Sequence, residues 1–144
     1  MDTLDKLPAW AAGLVDRARE GHLGLIDDAD QPRVMPVTFA LCDDAVWSAI
    51  DNKPKRRNTE PARLRWLRRW PRAALTVDEY AEDWSRLAWV QILGEVAIMA
   101  ASARPDAVEA LCLRYPQYRS DPPPGPLLRL TPERVICWRA KGRG

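Results

Sequence analysis

Apolar residues along the chain recur first at helical spacing and then in short alternating runs. Leu7, Trp10, Leu14, Val15 and Ala18 form one stripe, predicting an amphipathic helix over Leu7 to Arg19, with Pro8 in the first turn and Gly21 as its stop. His22 to Asp27 is a short apolar strand, and Asp28 to Pro32 a polar turn. Val34, Val37, Phe39 and Leu41 predict the next strand, Asp43-Asp44 its turn, and Ala45 to Ile50 the returning strand of a hairpin. Helical spacing resumes between Glu60 and Trp70, where Leu64, Leu67 and the Trp66/Trp70 pair oppose Arg65, Arg68 and Arg69, and Pro71 ends the segment.

The second half repeats the alternation. Ala73 to Val77 is a strand, Asp78 to Asp83 an acidic turn, and Trp84 to Ala100 a long apolar segment in which Gly94 marks a bulge or bend. Arg104 to Tyr115 is helical through Val108, Leu111, Cys112 and Tyr115, with Pro105 near its start and Pro116 past its end. The stretch DPPPGP, 121–126, is a stiff connector. Leu127 to Leu130 and Val135 to Arg139 read as closing strands around a turn at Thr131 to Arg134. About six strands, mostly hairpin-connected, with helices between them, point to a small antiparallel barrel of the mainly-β or α+β class. At 144 residues, a single domain is expected: a helix over 1–21, a barrel over 22–139 and a tail over 140–144.

Charge sharpens this picture. The net charge of +2 conceals a segment, Lys53 to Arg72, with nine basic residues against the single acid Glu60. Lys53, Lys55, Arg56 and Arg57 crowd the end of the second hairpin strand, and Asn58 or Thr59 is a candidate cap for the following helix, with Pro61 in its first turn. Lysines and arginines beside free backbone N–H groups outline an anion site. A solvated basic face and a nucleic-acid surface are the competing readings. The sequence pI of about 8.5 and the lack of an aromatic strand platform argue against nucleic acid.

Other chemistry is narrowed by what the chain carries. Cys42, Cys112 and Cys137 are widely spaced without a CxxC pair and read as small apolar residues in a reducing compartment. His22 is the only histidine, which excludes multi-histidine metal centres. The acids Asp78, Glu79, Glu82 and Asp83 lack ligand-loop spacing and read as a solvated turn. Of the seven tryptophans, Trp10, Trp47 and Trp66 are assigned to packing, and Trp84 and Trp89 are candidates for a wall against a flat ring. Arg86 is a candidate for a ligand's negative charge, or for an ion pair with Asp78 or Glu79. No run approaches the roughly 20 apolar residues of a membrane span, and no signal-peptide pattern is present, so no membrane partner and a cytoplasmic location are expected.

The run PVTFAL, the strand ending AIDNKPKR, a basic helix ending in proline, then ALTVDEY and EDWSRLAWV, together resemble the pyridoxamine-phosphate-oxidase-like split-barrel proteins. The likeness is greatest to their flavin/deazaflavin oxidoreductase branch, which uses coenzyme F420, and RYPQYRSDPPPGPLLRL extends it over His22 to Trp138. It implies a six-stranded antiparallel split β-barrel with peripheral helices, a homodimer with the cofactor at the subunit interface, and hydride transfer between reduced deazaflavin and an unsaturated small molecule. It further implies that Val37, Thr38 and Phe39 line the deazaflavin, that Ala49, Ile50 and Asp51 follow its stem, and that Lys53, Lys55 and Arg56 hold the phosphate and acidic tail. Trp84, Ser85 and Arg86 are expected near the ring or from the partner subunit. FMN is the alternative cofactor, and an F420- or flavin-binding protein without turnover the alternative function. Where the family commonly reads LAT, this chain reads Leu23-Gly24-Leu25 and lacks the hydroxyl.

Overall fold

The computed structural model describes residues 3–50 and 61–141. Seven strands form one antiparallel sheet: β1 Gly21–Ile26, β2 Pro32–Val37, β3 Ala40–Cys42, β4 Ala45–Ala49, β5 Arg72–Glu79, β6 Ala88–Met99 and β7 Leu127–Arg139. Their order is β2-β1-β5-β6-β7-β4-β3. The helices are α1 Ala9–Arg17, α2 Ala62–Arg69, α3 Pro105–Arg114 and α4 Pro116–Ser120, with short 3-10 turns at Leu4–Lys6, Trp84–Arg86 and Ala101–Ala103.

The sheet corrects the expected six-stranded barrel in two ways: among the described residues it has seven strands, and no ladder closes its edges. The segment expected as one strand from Val34 to Leu41 is broken at Thr38-Phe39, so β2 pairs with β1 at one edge and β3 with β4 at the other. The break follows from hydrogen bonding. Ser48 Oγ donates to the Thr38 carbonyl at 2.7 Å, and the Phe39 N–H donates to Tyr115 Oη at 3.1 Å, so side chains take backbone groups that a ladder would use. Because the three Cα–Cα steps from Val37 to Ala40 span roughly 11 Å at most, the sheet must curl to bring its edges near each other, and the covalent chain bridges the split. Pro32 and Pro36 fit β2 because its outer edge is unpaired.

At the other end, two expected closing strands are one. β7 runs without a turn at Thr131 to Arg134, and the extra residue is absorbed as a register shift opposite Leu93/Gly94, where Leu93 faces Arg134 and Gly94 faces Pro132. Gly94 stands opposite the bulge, as its position predicts, and the extra residue, Glu133, is on β7. A Cβ there would lie 1.9 Å from the Thr131 carbonyl oxygen, so only glycine fits. The Asp43-Asp44 turn also forms as expected, with φ of 54° and 55° at the two residues, the backbone of a tight two-residue hairpin. Gly21, expected to stop the first helix, instead begins β1; α1 ends at Arg17.

Inward-facing residues of β1, β5, β6 and β7, including Leu23, Leu75, Val77, Val90, Ile92 and Val135, pack with Leu14 and Val15 of α1 and Leu64 and Leu67 of α2. A second cluster joins Trp47, Ala45 and Ala49 of β4 to Ala107 and Leu111 of α3, so all five residues of β4 are buried. Arg104, just before α3, clamps this layer. It lies 4.5 Å over the Trp47 ring and pairs with Asp106 at 2.8 Å and Asp43 at 3.2 Å. Its hydrogen bond holds the Asp106 carboxyl well below the usual carboxylate range. Leu25, which stands where the resemblance implies a hydroxyl residue, is 4% exposed and belongs to the first cluster.

Gly94→Ala is expected to destabilise the protein by at least about 2 kcal/mol, since the clashing atom is backbone and cannot rotate away. Urea denaturation measures this; an unchanged midpoint would mean that β7 has another way round the bulge.

Candidate functional site

The break between β2 and β3 is also where polar side chains converge. Tyr115, at the end of α3, is 7% exposed, and its hydroxyl stands 3.1 Å from the Phe39 N–H, the Phe39 carbonyl and the Arg19 carbonyl. It accepts the N–H and shares its single proton between the two carbonyls. Arg114 beside it donates to the carbonyls of Val15 at 2.9 Å, Asp16 at 2.8 Å and Ala18, capping the end of α1, while its guanidinium lies 4.7 Å over the Phe39 ring. One residue further along, α4 brings Tyr118 Oη within 2.8 Å of Thr38 Oγ1. Thr38 is thereby held through both its carbonyl and its hydroxyl.

Thr38 opens into a hollow of about 260 Å³ lined by Val37, Ala49, Pro36, Arg19, Glu20 and Arg63. Val37 and Ala49 give it apolar walls; Arg19 and Arg63 give it positive charge. Arg63 projects from the first turn of α2, where, among the described residues, its Nη1 reaches the Met35 sulfur alone at 3.5 Å. Its Nε is buried with no hydrogen-bond partner among the described residues. A buried guanidinium nitrogen without an acceptor is costly, and an anionic or carbonyl-bearing ligand in this hollow would supply one.

The structure therefore brings Val37, Thr38 and Ala49 together. Phe39 and Ile50 are packed in the core at 0% and 5% exposure, directly behind the site's backbone. Asp51, Lys53, Lys55 and Arg56, with the proposed caps Asn58 and Thr59, lie outside the described residues; α2 itself has Pro61 at its N-cap position. Ser85 and Arg86 line a different hollow, and Trp84 is 68% exposed on a 3-10 turn rather than on the strand expected to carry it. That turn is set by Asp83, whose Oδ1 accepts from the Ser85 hydroxyl at 2.7 Å and the Ser85 N–H at 3.1 Å. These bonds hold Asp83 below the ordinary carboxylate range. Arg86 takes the ion-pair alternative, 3.4 Å from Glu79.

Arg19, Arg63, Tyr115 and Tyr118 were missed by sequence reasoning. Arg63 belonged to the recognised basic segment, but helical spacing alone does not say which arginine turns toward a strand. Among the described residues no group of His, Cys, Asp and Glu could hold a metal ion, and no helix is long and apolar enough to cross a membrane. The three cysteines are half-buried and free, and burial pushes the Cys42 thiol up.

Comparison with known proteins gives no matching family model and no matching curated protein. Solved structures do match. A haem-binding protein from Mycobacterium smegmatis aligns with a TM-score of 0.72 at 18% identity over 92% of this chain and 54% of its own. An FAD-binding protein from Mesorhizobium loti aligns at 0.63 and 20% identity over 91% of this chain and 94% of its own. An F420 reductase aligns at 0.63 and 18% identity over 90% and 98%. At such identities the likeness establishes the fold, a split barrel of antiparallel strands with helices, common to all three.

Tyr115→Phe removes the acceptor of the buried Phe39 N–H while keeping the ring, so a loss of about 1–3 kcal/mol is expected. Thermal or urea unfolding would show it; unaltered stability would mean that the crossover is held without the hydroxyl.

Proposed function

We propose that the protein is a coenzyme F420-dependent oxidoreductase that works as a homodimer. The observation that carries this is the Thr38 hollow, where a buried Arg63 nitrogen has no acceptor among the described residues and lies beside two apolar walls. The order of motifs from PVTFAL to DPPPGP, and a fold shared with an F420 reductase, support the same reading.

A deazaflavin supplies the hydride chemistry when bound, so the chain's own task is to bind, orient and exclude water. Val37 and Ala49 would face the ring, and the Thr38 hydroxyl, oriented by Tyr118, would give it one polar contact. Arg63 and Arg19 would offer positive charge to the phosphate and acidic tail, the role that the resemblance gives to Lys53, Lys55 and Arg56. The hollow of about 260 Å³ is smaller than the roughly 300–1,000 Å³ of pockets that enclose a whole ligand, which agrees with a site completed by a second subunit.

The outer face of the sheet supports a dimer. Register places Trp89 opposite Trp138 and Gln91 opposite Ile136 on the side away from the core, and the two indoles stack at 6.5 Å. Trp138 is 46% exposed there. Burying such aromatic area is a strong source of association energy.

Titrating the purified protein with coenzyme F420, and separately with FMN, while following tryptophan fluorescence tests the proposal. Tight F420 binding is expected, weaker FMN binding, and at least about 10-fold loss in Arg63→Gln and in Lys55→Ala, the scale of one charge-assisted hydrogen bond. Preference for FMN would move the protein to flavin chemistry, and binding of neither would overturn the reading.

A further inference from the structure

A second, larger hollow of about 710 Å³ lies at the far end of β5, β6 and β7, between Glu79, Arg139 and the α1 residues Trp10 and Arg17. The connection from α1 to β1 separates it from the Thr38 hollow, since Arg17 lines one and Arg19 the other. Its charge is unbalanced. Glu79 uses both carboxylate oxygens, accepting from Arg17 at 2.6 Å and from Arg86 at 3.4 Å, and so holds two guanidinium groups side by side. Arg17's hydrogen bond keeps the Glu79 carboxyl below its ordinary range, so the carboxylate is charged at neutral pH. It neutralises only one of the positive charges gathered there. Arg139 lies 5.0 Å over the Trp10 ring, and among the described residues neither Arg139 nor Lys141 has a carboxylate partner.

Four cations facing one carboxylate around a ligand-sized hollow with an indole wall have a definite chemical complement. We infer that this hollow binds a small organic molecule carrying two or more negative charges, as a phosphate monoester or a dicarboxylate, with its apolar body toward Trp10. Within one subunit the site is distinct from the Thr38 hollow, and it does not depend on the cofactor reading. The Arg17 and Arg86 pairs with Glu79 are exposed and weak, so their remaining N–H donors turn to a ligand at little cost.

The test is a two-dimensional amide NMR titration at fixed ionic strength, with phenyl phosphate in one arm and phthalate in the other. Saturable shifts at Leu87, Ala88, Ala140 and the Trp10 indole are expected for at least one probe, with the stronger arm identifying the anion. Affinity should fall at least about 10-fold in Arg139→Gln and also in Lys141→Gln, while Arg65→Gln on α2 should leave it unchanged. Unsaturated shifts, shifts spread over the other arginine-bearing faces, or equal affinity in all three variants would overturn the assignment.

Discussion

The hydroxyl of Tyr115, buried against both backbone groups of Phe39, is the contact on which the architecture turns. Without it, Thr38-Phe39 would have every reason to continue as a strand, since the residues on both sides alternate in strand fashion. With it, the chain leaves one sheet edge and enters the other within two residues. Arg114 extends the same knot to the end of α1, and Ser48 and Tyr118 fix Thr38 from the remaining directions. The knot is built from α3 and α4, which are remote in sequence and cover β3 and β4 through the cluster around Trp47. The split in the barrel and the wall of the Thr38 hollow are thus one feature.

Local signals in the chain were enough where the physics is local. Helical spacing located α1, α2 and α3 to within a few residues, Gly94 announced the bulge, and Asp43-Asp44 formed the turn that residues tolerant of positive φ allow. Reading failed where a distant partner decides. Nothing around Phe39 announces a break, because its cause is a tyrosine 76 positions away. Thr131 to Arg134 look like a turn for their proline and charges, yet β6 is long enough to keep them in the ladder. Pro116 was legible as the end of α3 but not as the start of α4, the short helix that carries Tyr118 to Thr38.

The candidate site was legible in part. Val37, Thr38 and Ala49 do meet, because β2 and β4 end on the same side of the crossover. The resemblance implies Trp84, Ser85 and Arg86 near the ring or from a partner subunit; within one subunit Ser85 and Arg86 line the hollow beside Glu79. Positive charge is accordingly spread over two hollows on either side of the α1–β1 connection, one small with a half-buried arginine, Arg63, the other wide and open. The missing hydroxyl at Leu25 affects packing inside the barrel, not the wall around Thr38.

Hydrogen exchange resolved to single amides, with and without coenzyme F420, tests most directly the claim that the Tyr115-held crossover is the cofactor wall. The account predicts that the Phe39 amide exchanges only through global unfolding, and that added coenzyme slows Thr38 and its neighbours while leaving Leu87 and Ala88 unchanged. Rapid exchange at Phe39, or protection confined to the hollow beside Glu79, would contradict it.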